Sequence, residues 1–460
     1  MKRKPCPLFL TEDNLALATD LYELTMAAGY FEAGRNERST FELFVRDLPP
    51  NRGYLVVAGL EQVVHYLQSL RFTEEAVAHL RSLPVFRHVG DAFFDYLRAF
   101  RFSGDLEAMP EGTIAFPGEP LLSVTAPLIE AQVVETYLLT TINYQTLAAT
   151  KAARVVEAAR GRPVVDFGSR RAHGPQAGLL AARASYIGGC IGTSNVLAGA
   201  QLGIPVFGTQ AHSWVMSFPT EREAFETYRR VFPDHAIFLL DTYQTLAAAR
   251  TVAALGPGTS GVRLDSGDLV ALSRQVRRIL DQAGLRSVKI LASGDLNEYV
   301  IADILRRGAR IDSFGVGTEL VTSRDAPALG GVYKLVEQHL PEGPVPRIKQ
   351  STDKHTYPGR KQVFRQFDSR GRCRRDIIAL ADESLEGEPL VVPVMRGGRL
   401  IADLPPLEAA RARAADGLAK LPPRYRRLEN PPRYPVRWSR RLEALRKQAL
   451  RQLAESRGGQ

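Results

Sequence analysis

The strongest constraint on the fold is an alternation of predicted strands and helices that repeats between residues 163 and 315. Short β-prone apolar runs predict seven strands, at 163–166, 190–193, 205–209, 236–240, 261–265, 287–292 and 311–315. Helical patterns lie between most of them, at 175–187, 195–202, 220–231, 242–255, 268–284 and 297–308. Such alternation is typical of βαβ units and a parallel sheet. This part of the chain therefore forms either a closed or nearly closed barrel, or a doubly wound open sheet.

Polar residues or glycines stand at the end of every predicted strand. In chain order they are Asp166, Thr193, Thr209 with His212, Asp241, Asp265, Ser293 with Asp295, and Gly315 with Gly317. Barrel enzymes build their site from the C-terminal ends of many strands, whereas an open sheet uses chiefly one switch point. We therefore predict an α/β protein centred on an irregular (β/α) barrel of about seven units.

The remaining patterns divide the chain into four regions. We predict an N-terminal α/β domain over 1–128 and the barrel, preceded by a long helix, over 129–330. A β-rich segment over 331–395 is expected to return to the N-terminal domain. A basic, helical and peripheral C-terminal extension is predicted over 396–460, where prolines and arginines dominate.

The positive charge is concentrated in this extension. The net charge is +10, and residues 424–451 carry +8 of it because ten Arg or Lys residues there accompany two Glu residues. A solvated helix docked on the body or on a second subunit is the favoured interpretation. Three interleaved aromatic residues, Tyr425, Tyr434 and Trp438, leave RNA binding as an alternative. Nucleic acid is otherwise not expected as a partner.

The rest of the composition describes an ordinary globular protein of a reducing compartment. The three cysteines, Cys6, Cys190 and Cys373, are far apart and form no CxxC pair. The start of the chain does not fit a signal peptide, and no apolar run reaches the roughly 18 residues of a membrane span. We therefore expect a cytoplasmic protein with no membrane segment.

Several strand ends carry groups suited to a phosphorylated sugar. The GxGT turn at Gly315, Gly317 and Thr318 follows the last strand, where backbone N–H groups of a barrel commonly cradle phosphate. Asp265 and Asp295, in two similar SGDL segments, are candidates for ribose hydroxyls or for Mg²⁺ held through water. The alternative is that these segments are only caps and turns; Asp268 and Asn297 are predicted as helix caps.

Other strand-end residues suggest a reactive histidine and an anionic, flat substrate. His212 is placed to act as a catalytic or phosphate-accepting residue, and Asp241 could orient its ring. Three arginines, Arg170, Arg171 and Arg263, would repel one another at one rim unless they bind an anion. Phe167 is either a core residue or a face for a flat ring. These residues leave the reaction itself open.

The same segments resemble the nicotinate phosphoribosyltransferase family. The matching motifs are TDLYELTMA (19–27), FELFVRDLPPNRGYLVVAGLE (41–61), DFGSRRAHG (166–174), IGTSNVLAG (191–199), GTQAHSWVMSF (208–218), LLDTYQT (239–245), VRLDSGDL (262–269), ASGDLNEY (292–299), FGVGTELVTS (314–323) and PGRKQVFR (358–365). They occur in collinear order over most of residues 15–370. No family motif is found beyond about residue 400.

The resemblance implies a type II phosphoribosyltransferase, with an N-terminal α/β domain beside an irregular α/β barrel, usually as a dimer. It implies that nicotinate and phosphoribosyl pyrophosphate are converted to nicotinate mononucleotide and pyrophosphate. It further implies that ATP is a co-substrate, hydrolysed through a phosphohistidine, and that Mg²⁺ is required. The implied reaction is the entry step of NAD salvage from nicotinate.

The resemblance also implies residue roles. His212 would be phosphorylated by ATP and oriented by Asp241. Phe167 and, from the neighbouring subunit, Tyr22 would sandwich the pyridine ring, and Arg263 would bind its carboxylate. Asp265 would lie near the ribose and Mg²⁺–pyrophosphate. The remaining implied contacts are ribose hydroxyls for Gly294 and Asp295, the 5′-phosphate for Gly315, Gly317 and Thr318, and other phosphates for Arg52, Arg170, Lys334, Arg360 and Lys361.

Position 194 separates the alternatives within the resemblance. Nicotinamide phosphoribosyltransferases carry an aspartate at the corresponding position, where it can accept from the amide, whereas this chain has Ser194. A serine can donate to a carboxylate, so nicotinate is the expected substrate. Nicotinamide is the first alternative, a quinolinate enzyme ranks lower, and a non-catalytic scaffold with an RNA-binding tail is the non-enzymatic alternative.

Overall fold

The computed structural model describes residues 8–349 and 356–458. Cys6 and the basic residues at the start of the chain lie outside them. Two main sheets carry the architecture, one in the N-terminal region and one in the predicted barrel. None of the helices within the described residues is both long and apolar enough to span a membrane.

The first sheet is a seven-stranded sheet with antiparallel pairings throughout. Its strands, in spatial order, are Gly343–Pro346, Gly331–Leu340, Arg38–Val45, Pro120–Pro127, Asp105–Ala108, Val392–Arg396 and Arg399–Leu400. Strand 331–340 pairs with strand 38–45. The segment after residue 330 thus joins the N-terminal sheet. A two-stranded sheet, Leu55–Val56 with Ile114–Ala115, adjoins this region.

Helices cover the N-terminal sheet and lead into the barrel. They are Leu21–Glu32, Leu60–Ser69, Glu74–Ser82, Asp91–Ala99, Leu128–Gln132 and the long helix Glu135–Ala158. The Thr73 side chain caps helix 74–82 by accepting from the Ala76 N–H. Buried leucine, valine and phenylalanine side chains from these helices and the sheet form one hydrophobic core.

The second sheet is the predicted parallel one. Six strands pair in the order Gly192–Thr193, Val164–Asp166, Ser313–Val316, Lys289–Ala292, Gly261–Leu264 and Ile237–Leu239. A single parallel bridge joins Thr193 to Val206, which extends the row by a seventh segment. This order is the chain order, cyclically shifted, as it is in a barrel. The prediction of a parallel α/β arrangement is confirmed.

The barrel is open at one place, between its first and last segments in spatial order. Within the described residues no strand pairing joins the Val206 segment to the Ile237–Leu239 strand. The Gln210 side chain spans this side instead, since its Nε2 donates to the Ile237 carbonyl at 3.2 Å. The predicted strand at 205–209 is therefore reduced to one bridged residue.

The connecting helices include six that lie close to their predicted bounds and two short ones, His212–Met216 and Thr318–Val321, that were not predicted. They are Pro175–Ile187, Val196–Leu202, His212–Met216, Glu221–Val231, Thr245–Leu255, Leu269–Gln282, Glu298–Arg306 and Thr318–Val321. Asp268 and Asn297 cap helices 269–282 and 298–306 through their side chains, as predicted. Short 3₁₀ turns lie at Leu15–Leu17, Pro84–Phe86, Ser169–Arg171, Pro233–His235 and Pro423–Arg426.

The C-terminal extension is neither helical throughout nor peripheral. It contains helices Leu407–Lys420 and Arg440–Gly458, but strand Val436–Trp438 lies between them. That strand pairs in parallel with Cys373–Leu380 in a four-stranded sheet that also holds Lys361–Phe367 and Glu388–Pro389. The free edge of strand 373–380 explains why this short segment is extended. Tyr425 and Tyr434 are buried, so the extension is part of the core.

A buried charge cluster joins four parts of the chain. Arg52 makes two 2.9 Å contacts with Asp325, and Lys151 lies 2.8 Å from Asp325 and 2.6 Å from Glu298. Arg154 donates to Glu298 at 3.0 Å and to the Leu428 carbonyl of the extension at 3.0 Å. Burial alone would raise the pKa of Asp325, but the hydrogen bonds from Arg52 and Lys151 hold it below its usual value.

A second buried group links the extension to the sheets and makes stability depend on pH. Burial, followed by the charge of Asp376, raises the pKa of Glu119 well above its usual value, although Arg365 opposes the shift. Asp376 is itself paired with Arg365 at 3.0 Å and accepts from the Tyr434 hydroxyl at 3.1 Å. A protonated Glu119 is thus favoured by folding, whereas an ionised one is not.

We expect the free energy of unfolding to fall as pH rises from the unfolded pKa of Glu119, about 4.3, through its raised folded pKa. The sign follows because a raised folded pKa stabilises the fold below that window and loses the contribution above it. Glu119→Gln should flatten this part of the profile. Denaturant unfolding across pH measures it, with exposed Glu226→Gln as the control. An unchanged slope in Glu119→Gln would contradict the assignment.

Candidate active site

A cavity of about 590 Å³ opens at the C-terminal ends of the parallel strands. Its lining residues come from the C-terminal ends of six of the seven barrel segments and from the loops that follow them. They are Phe167, Arg170, Arg171, Ser194, Gly208, Thr209, Gln210, Ala211, His212, Arg263, Asp265, Ser293, Gly294, Asp295, Gly315, Gly317 and Thr318. Because parallel strand ends converge at one edge of a sheet, residues 150 positions apart line one space.

Eleven of the residues predicted for the site line this cavity. They are His212, Asp265, Phe167, Arg170, Ser194, Arg263, Gly294, Asp295, Gly315, Gly317 and Thr318. Two predicted residues do not line it: Asp241 lies behind His212, and Tyr22 lies on helix 21–32. The convergence supports the placement of the predicted residues and leaves their chemical roles as predictions.

His212 faces the cavity with a carboxylate behind it. Its Nε2 lies 3.6 Å from Oδ1 of Asp241, and the other Asp241 oxygen accepts from the Ser266 hydroxyl at 2.5 Å. The His212 side chain is 41% exposed, whereas the Asp241 side chain is 4% exposed. Asp241 can therefore orient the ring but cannot itself reach a ligand.

Arg263 is held rigidly at the floor of the cavity. Its Nε donates to Ser293 Oγ at 2.8 Å, and its Nη1 donates to Thr209 Oγ1 at 2.7 Å and to the Gln210 carbonyl at 3.2 Å. Its Nη2 donates to Asp265 Oδ1 at 2.8 Å. A guanidinium has five N–H groups. The described partners use four, which leaves one N–H, on Nη2, for a ligand.

Asp265 is the carboxylate that completes this network. Burial raises its pKa, but the hydrogen bonds from Ser293 and Arg263 and the charge of Arg263 together hold the pKa below its usual value. Oδ1 accepts from both partners, at 2.5 Å from Ser293 and 2.8 Å from Arg263. Asp265 is therefore ionised at neutral pH, as a role beside a cation requires.

Asp166 lies beneath the cavity and ties two of its loops together. It is buried, with Oδ1 accepting from the Gly168 N–H and Oδ2 from the Thr193 hydroxyl, both at 2.8 Å. Burial raises its pKa, although both hydrogen bonds oppose the shift. The first strand-end residue thus supports the loops that carry Phe167 and Ser194 and does not face the ligand space.

Phe167 and the GxGT turn form one wall. The Phe167 N–H donates to the Val316 carbonyl at 2.8 Å, which fixes the residue beside the last strand. A Cβ added to Gly315 would lie 2.3 Å from the Phe167 ring, so this glycine packs directly against the aromatic side chain. The backbone N–H groups of Gly317 and Thr318 have no partner among the described residues and remain available to an anion.

The weaker phosphate candidates other than Arg170 lie outside the cavity lining. Arg52 and Lys361 are buried and paired with Asp325 and Glu42 respectively, while Arg360 lies 3.4 Å from Glu107. Burial lowers the pKa of Lys334, against the opposing charge of Glu135. The structure of one chain does not bring these four cations to the candidate site.

Six cavity residues were not among the predicted contacts: Arg171, Gly208, Thr209, Gln210, Ala211 and Ser293. Thr209 and Gln210 bond Arg263, and Arg171 stands beside Arg170 at the rim. Thr209 and Arg171 had already been noted as a polar strand end and as one of three neighbouring cations. Among the residues that bond Arg263, only Gln210 lacked a signal in the sequence, because its role depends on the gap between the Val206 segment and strand 237–239.

The acidic residues suit a metal that arrives with its substrate. Within the described residues no group of three or more His, Cys, Asp or Glu side chains could hold a metal ion. Mg²⁺ commonly uses only one or two carboxylates together with substrate phosphates. Asp265 and Asp295, both in the cavity lining, fit that pattern.

Comparison with known proteins gives a consistent result over most of the chain. Three models match: the nicotinate phosphoribosyltransferase N-terminal domain (residues 17–143), the nicotinate phosphoribosyltransferase family (163–335) and its C-terminal domain (384–446). The last match shows that the resemblance continues beyond residue 400, where no motif had been found.

Individual proteins agree. A Mycobacterium tuberculosis nicotinate phosphoribosyltransferase, pncB2, is 48% identical over 93% of this chain and 92% of its own length. The Bacillus subtilis nicotinate phosphoribosyltransferase is 39% identical over 94% of this chain and 96% of its own. The crystal structure of human nicotinic acid phosphoribosyltransferase superposes with a TM-score of 0.83 and 34% identity, over 94% of this chain and 99% of that one.

Proposed function

Because the chain belongs to the nicotinate phosphoribosyltransferase family, we propose that its cavity joins nicotinate to phosphoribosyl pyrophosphate and couples the reaction to ATP through His212. The products are nicotinate mononucleotide and pyrophosphate, in NAD biosynthesis by salvage. The observation that carries the proposal is the convergence of eleven residues with implied roles on one cavity. Their chemistry divides into a ring subsite, a sugar subsite and a phosphate subsite.

The ring subsite lies between Phe167 and Arg263. Phe167 offers an aromatic face, the remaining N–H of Arg263 can donate to the nicotinate carboxylate, and Ser194 can add a hydroxyl donor. These contacts would aim the pyridine nitrogen at the anomeric carbon. Alignment of two bound reactants is a large part of the rate gain in such a displacement.

The sugar and phosphate subsites complete the alignment. Gly294 and Asp295 are proposed to hold the ribose hydroxyls, and Gly317 and Thr318 the 5′-phosphate. In the transfer the bond from the anomeric carbon to pyrophosphate breaks and the bond to the pyridine nitrogen forms. The oxocarbenium-like transition state carries positive charge on the sugar and leaves negative charge on the pyrophosphate. Arg170 and Arg171 are cations placed to neutralise the leaving group.

Mg²⁺ would be held by Asp265 and Asp295, directly or through water. When bound, it neutralises pyrophosphate charge and so makes this group a better leaving group. Asp265 keeps its charge because Ser293 and Arg263 favour the ionised carboxylate.

His212 is proposed to couple ATP to this transfer. Its Nε2 faces Asp241, so Nδ1 is the nitrogen left to take the γ-phosphoryl group. The bond between that phosphorus and the bridging oxygen of ADP breaks, ADP leaves, and water later hydrolyses the phosphohistidine to inorganic phosphate. A phosphoryl group adds about two negative charges beside the arginines, which can reposition them and the metal before transfer.

We also propose a homodimer with the cavity at its interface. Four apolar side chains flank the cavity loops in exposed positions: Val196, Leu197, Phe207 and Met216. Tyr22, which lies outside its own cavity, is exposed on helix 21–32 beside exposed Leu21 and Met26. Two such patches on one chain are complementary in kind, and large exposed apolar patches mark association sites. A monomer by sedimentation velocity at assay concentration would contradict this.

The proposals for the basic extension and for the location in the cell rest on less specific features. Burial of Tyr425 and Tyr434 in the core favours a docked extension over a free RNA-binding tail. Cys190 and Cys373 are free, buried thiols, which supports the proposed cytoplasmic location.

One assay tests the proposed reaction. Mononucleotide formation from phosphoribosyl pyrophosphate is measured with nicotinate and with nicotinamide, each with and without Mg-ATP. We expect turnover of nicotinate, strengthened by ATP. Turnover of nicotinamide alone would favour the nicotinamide enzyme, and no turnover of either would favour a scaffold without catalysis.

Ser194 gives the sharpest specificity prediction. Its N–H is anchored to the Asp166 carbonyl at 2.8 Å, so its side chain has a fixed place in the cavity lining. In Ser194→Asp, we expect repulsion of the nicotinate carboxylate to lower kcat/KM for nicotinate by about tenfold or more. The ratio of kcat/KM for nicotinamide to that for nicotinate should rise. Ser194→Ala is the matched control, and an unchanged ratio in Ser194→Asp would contradict the role.

A further inference from the structure

Gly315, which has no side chain, determines how closely the Phe167 ring can approach the neighbouring strand. Gly315 is buried in strand 313–316 and pairs with Val165 of the neighbouring strand. A Cβ built on it would lie 2.3 Å and 2.4 Å from two ring carbons of Phe167. The three atoms nearest to that position all belong to the Phe167 ring. The ring therefore rests on the bare backbone of Gly315.

The rest of the Phe167 loop is fitted equally closely. The Phe167 carbonyl would lie 3.2 Å from a Cβ on Gly317, and a Cβ on Gly168 would lie 2.6 Å from Val321. The Phe167 N–H is held by Val316, and the Gly168 N–H by Asp166. One side of the ring is thus fixed, while the residue is only half-buried and lines the cavity.

We propose that Gly315 is a positioning residue that sets the depth of the Phe167 ring in the cavity. In this account Gly315 serves the pyridine subsite, whereas Gly317 and Thr318, which follow the strand, serve the phosphate. The inference rests on the proposed function and changes the role that the family resemblance implied for Gly315, which was a contact to the 5′-phosphate.

The physical consequence is a fixed spacing between two subsites. Strand residues rise about 3.3 Å each, so Gly315 and Gly317, which directly follows the last strand residue, are at most roughly 7 Å apart along one backbone. The ring wall and the phosphate cradle are therefore built on one rigid segment. A side chain at position 315 would push the ring outward by about 1 Å, since carbon atoms need about 3.5 Å between them.

Gly315→Ala tests this placement because it should change KM for nicotinate much more than KM for phosphoribosyl pyrophosphate. We expect KM for nicotinate to rise about 10- to 100-fold, because a displacement of about 1 Å in a positioning group is enough for such a loss. KM for phosphoribosyl pyrophosphate should change by less than about threefold. In Gly317→Ala we expect the opposite: KM for phosphoribosyl pyrophosphate should rise, and KM for nicotinate should change little. Gly330→Ala, with no atom within 4 Å of its added Cβ, is the control that should leave both constants unchanged.

A double-mutant cycle separates the ring contact from a general need for glycine in the strand. The added methyl group should have little effect once the ring is gone, so Gly315→Ala combined with Phe167→Ala should resemble Phe167→Ala alone. The same cycle is measured by thermal unfolding without substrate. If Gly315→Ala fails to fold but the double variant folds, the proposal is supported; if both fail to fold, it is overturned.

The kinetic outcome is equally decisive. Equal increases in both KM values, or additive effects in the cycle, would show that Gly315 does not act through Phe167. The wild type is assayed in parallel. If it turns over no nicotinate, the proposed function fails, and the unfolding cycle still decides whether Gly315 positions the ring.

Discussion

His212→Asn is expected to abolish the stimulation of nicotinate turnover by ATP, so that the ratio of rates with and without Mg-ATP falls to about 1. The reason is that asparagine retains a polar side chain of moderate size but has no nitrogen that can form a phosphoramidate. The His212 side chain is exposed to the cavity, and its loss removes a nucleophile without opening the core. Initial rates of mononucleotide formation, with and without Mg-ATP, measure the ratio.

Asp241→Asn provides the graded comparison. This substitution keeps the shape of the group behind the imidazole but removes its charge, so stimulation should decrease and persist in part. Incubation with γ-labelled ATP should leave acid-labile phosphate on the wild type and none on His212→Asn. A His212→Asn enzyme that retains full ATP stimulation would disprove the coupling through this residue.

Arg263→Ala is expected to raise KM for nicotinate about 10- to 100-fold and to reduce the preference for the acid over the amide. A hydrogen bond to a charged group contributes about 1.5–3 kcal/mol, and its loss falls mainly on the substrate that carries the charge. The orientation of the guanidinium is tightly constrained, because it donates hydrogen bonds to Ser293, Thr209 and Asp265. Steady-state kinetics with both pyridines measure the change.

Arg263→Lys distinguishes charge from geometry at this site. Lysine keeps the positive charge but cannot make the planar set of contacts with Ser293 and Thr209. We therefore expect an intermediate KM with a lowered unfolding temperature, because buried acceptors lose their donors. Exposed Arg222→Ala, which removes only a surface pair with Glu226, is the control. A nicotinate KM that is unchanged in Arg263→Ala would contradict the carboxylate role.

The repeated part of the fold could be predicted because local chemistry and global order agree there. Helix 175–187 was predicted at its observed bounds, and caps such as Asp268 mark the starts of others. Strand ends could be predicted because each short β-prone run is followed by a polar residue or a glycine. Parallel topology then brings those ends to one edge, so most of the cavity could be assigned without any knowledge of distances.

Two things could not be predicted from the sequence: the direction in which a strand-end side chain points, and the partner of a charged side chain. Asp166 and Asp241 stand at strand ends like Asp265, yet they point beneath the cavity or behind His212. Arg52 and Lys361 have the right charge for phosphate, but their carboxylate partners lie more than 270 residues away in the sequence. Strand 436–438 depends on an edge offered by Cys373–Leu380, which no local pattern in 436–438 reveals.

The buried cluster of Arg52, Lys151, Arg154, Glu298 and Asp325 has a consequence for how this chain can be divided. Its members come from the N-terminal region, the long helix and the barrel, and the extension contributes a carbonyl. A fragment cut at residue 129 would keep Lys151 and Arg154 but lose Arg52 from Asp325. Asp325 and Glu298 would each lose a cationic neighbour, so the fragment would be less stable than the whole chain. Chimeras with relatives should therefore exchange all of these segments together.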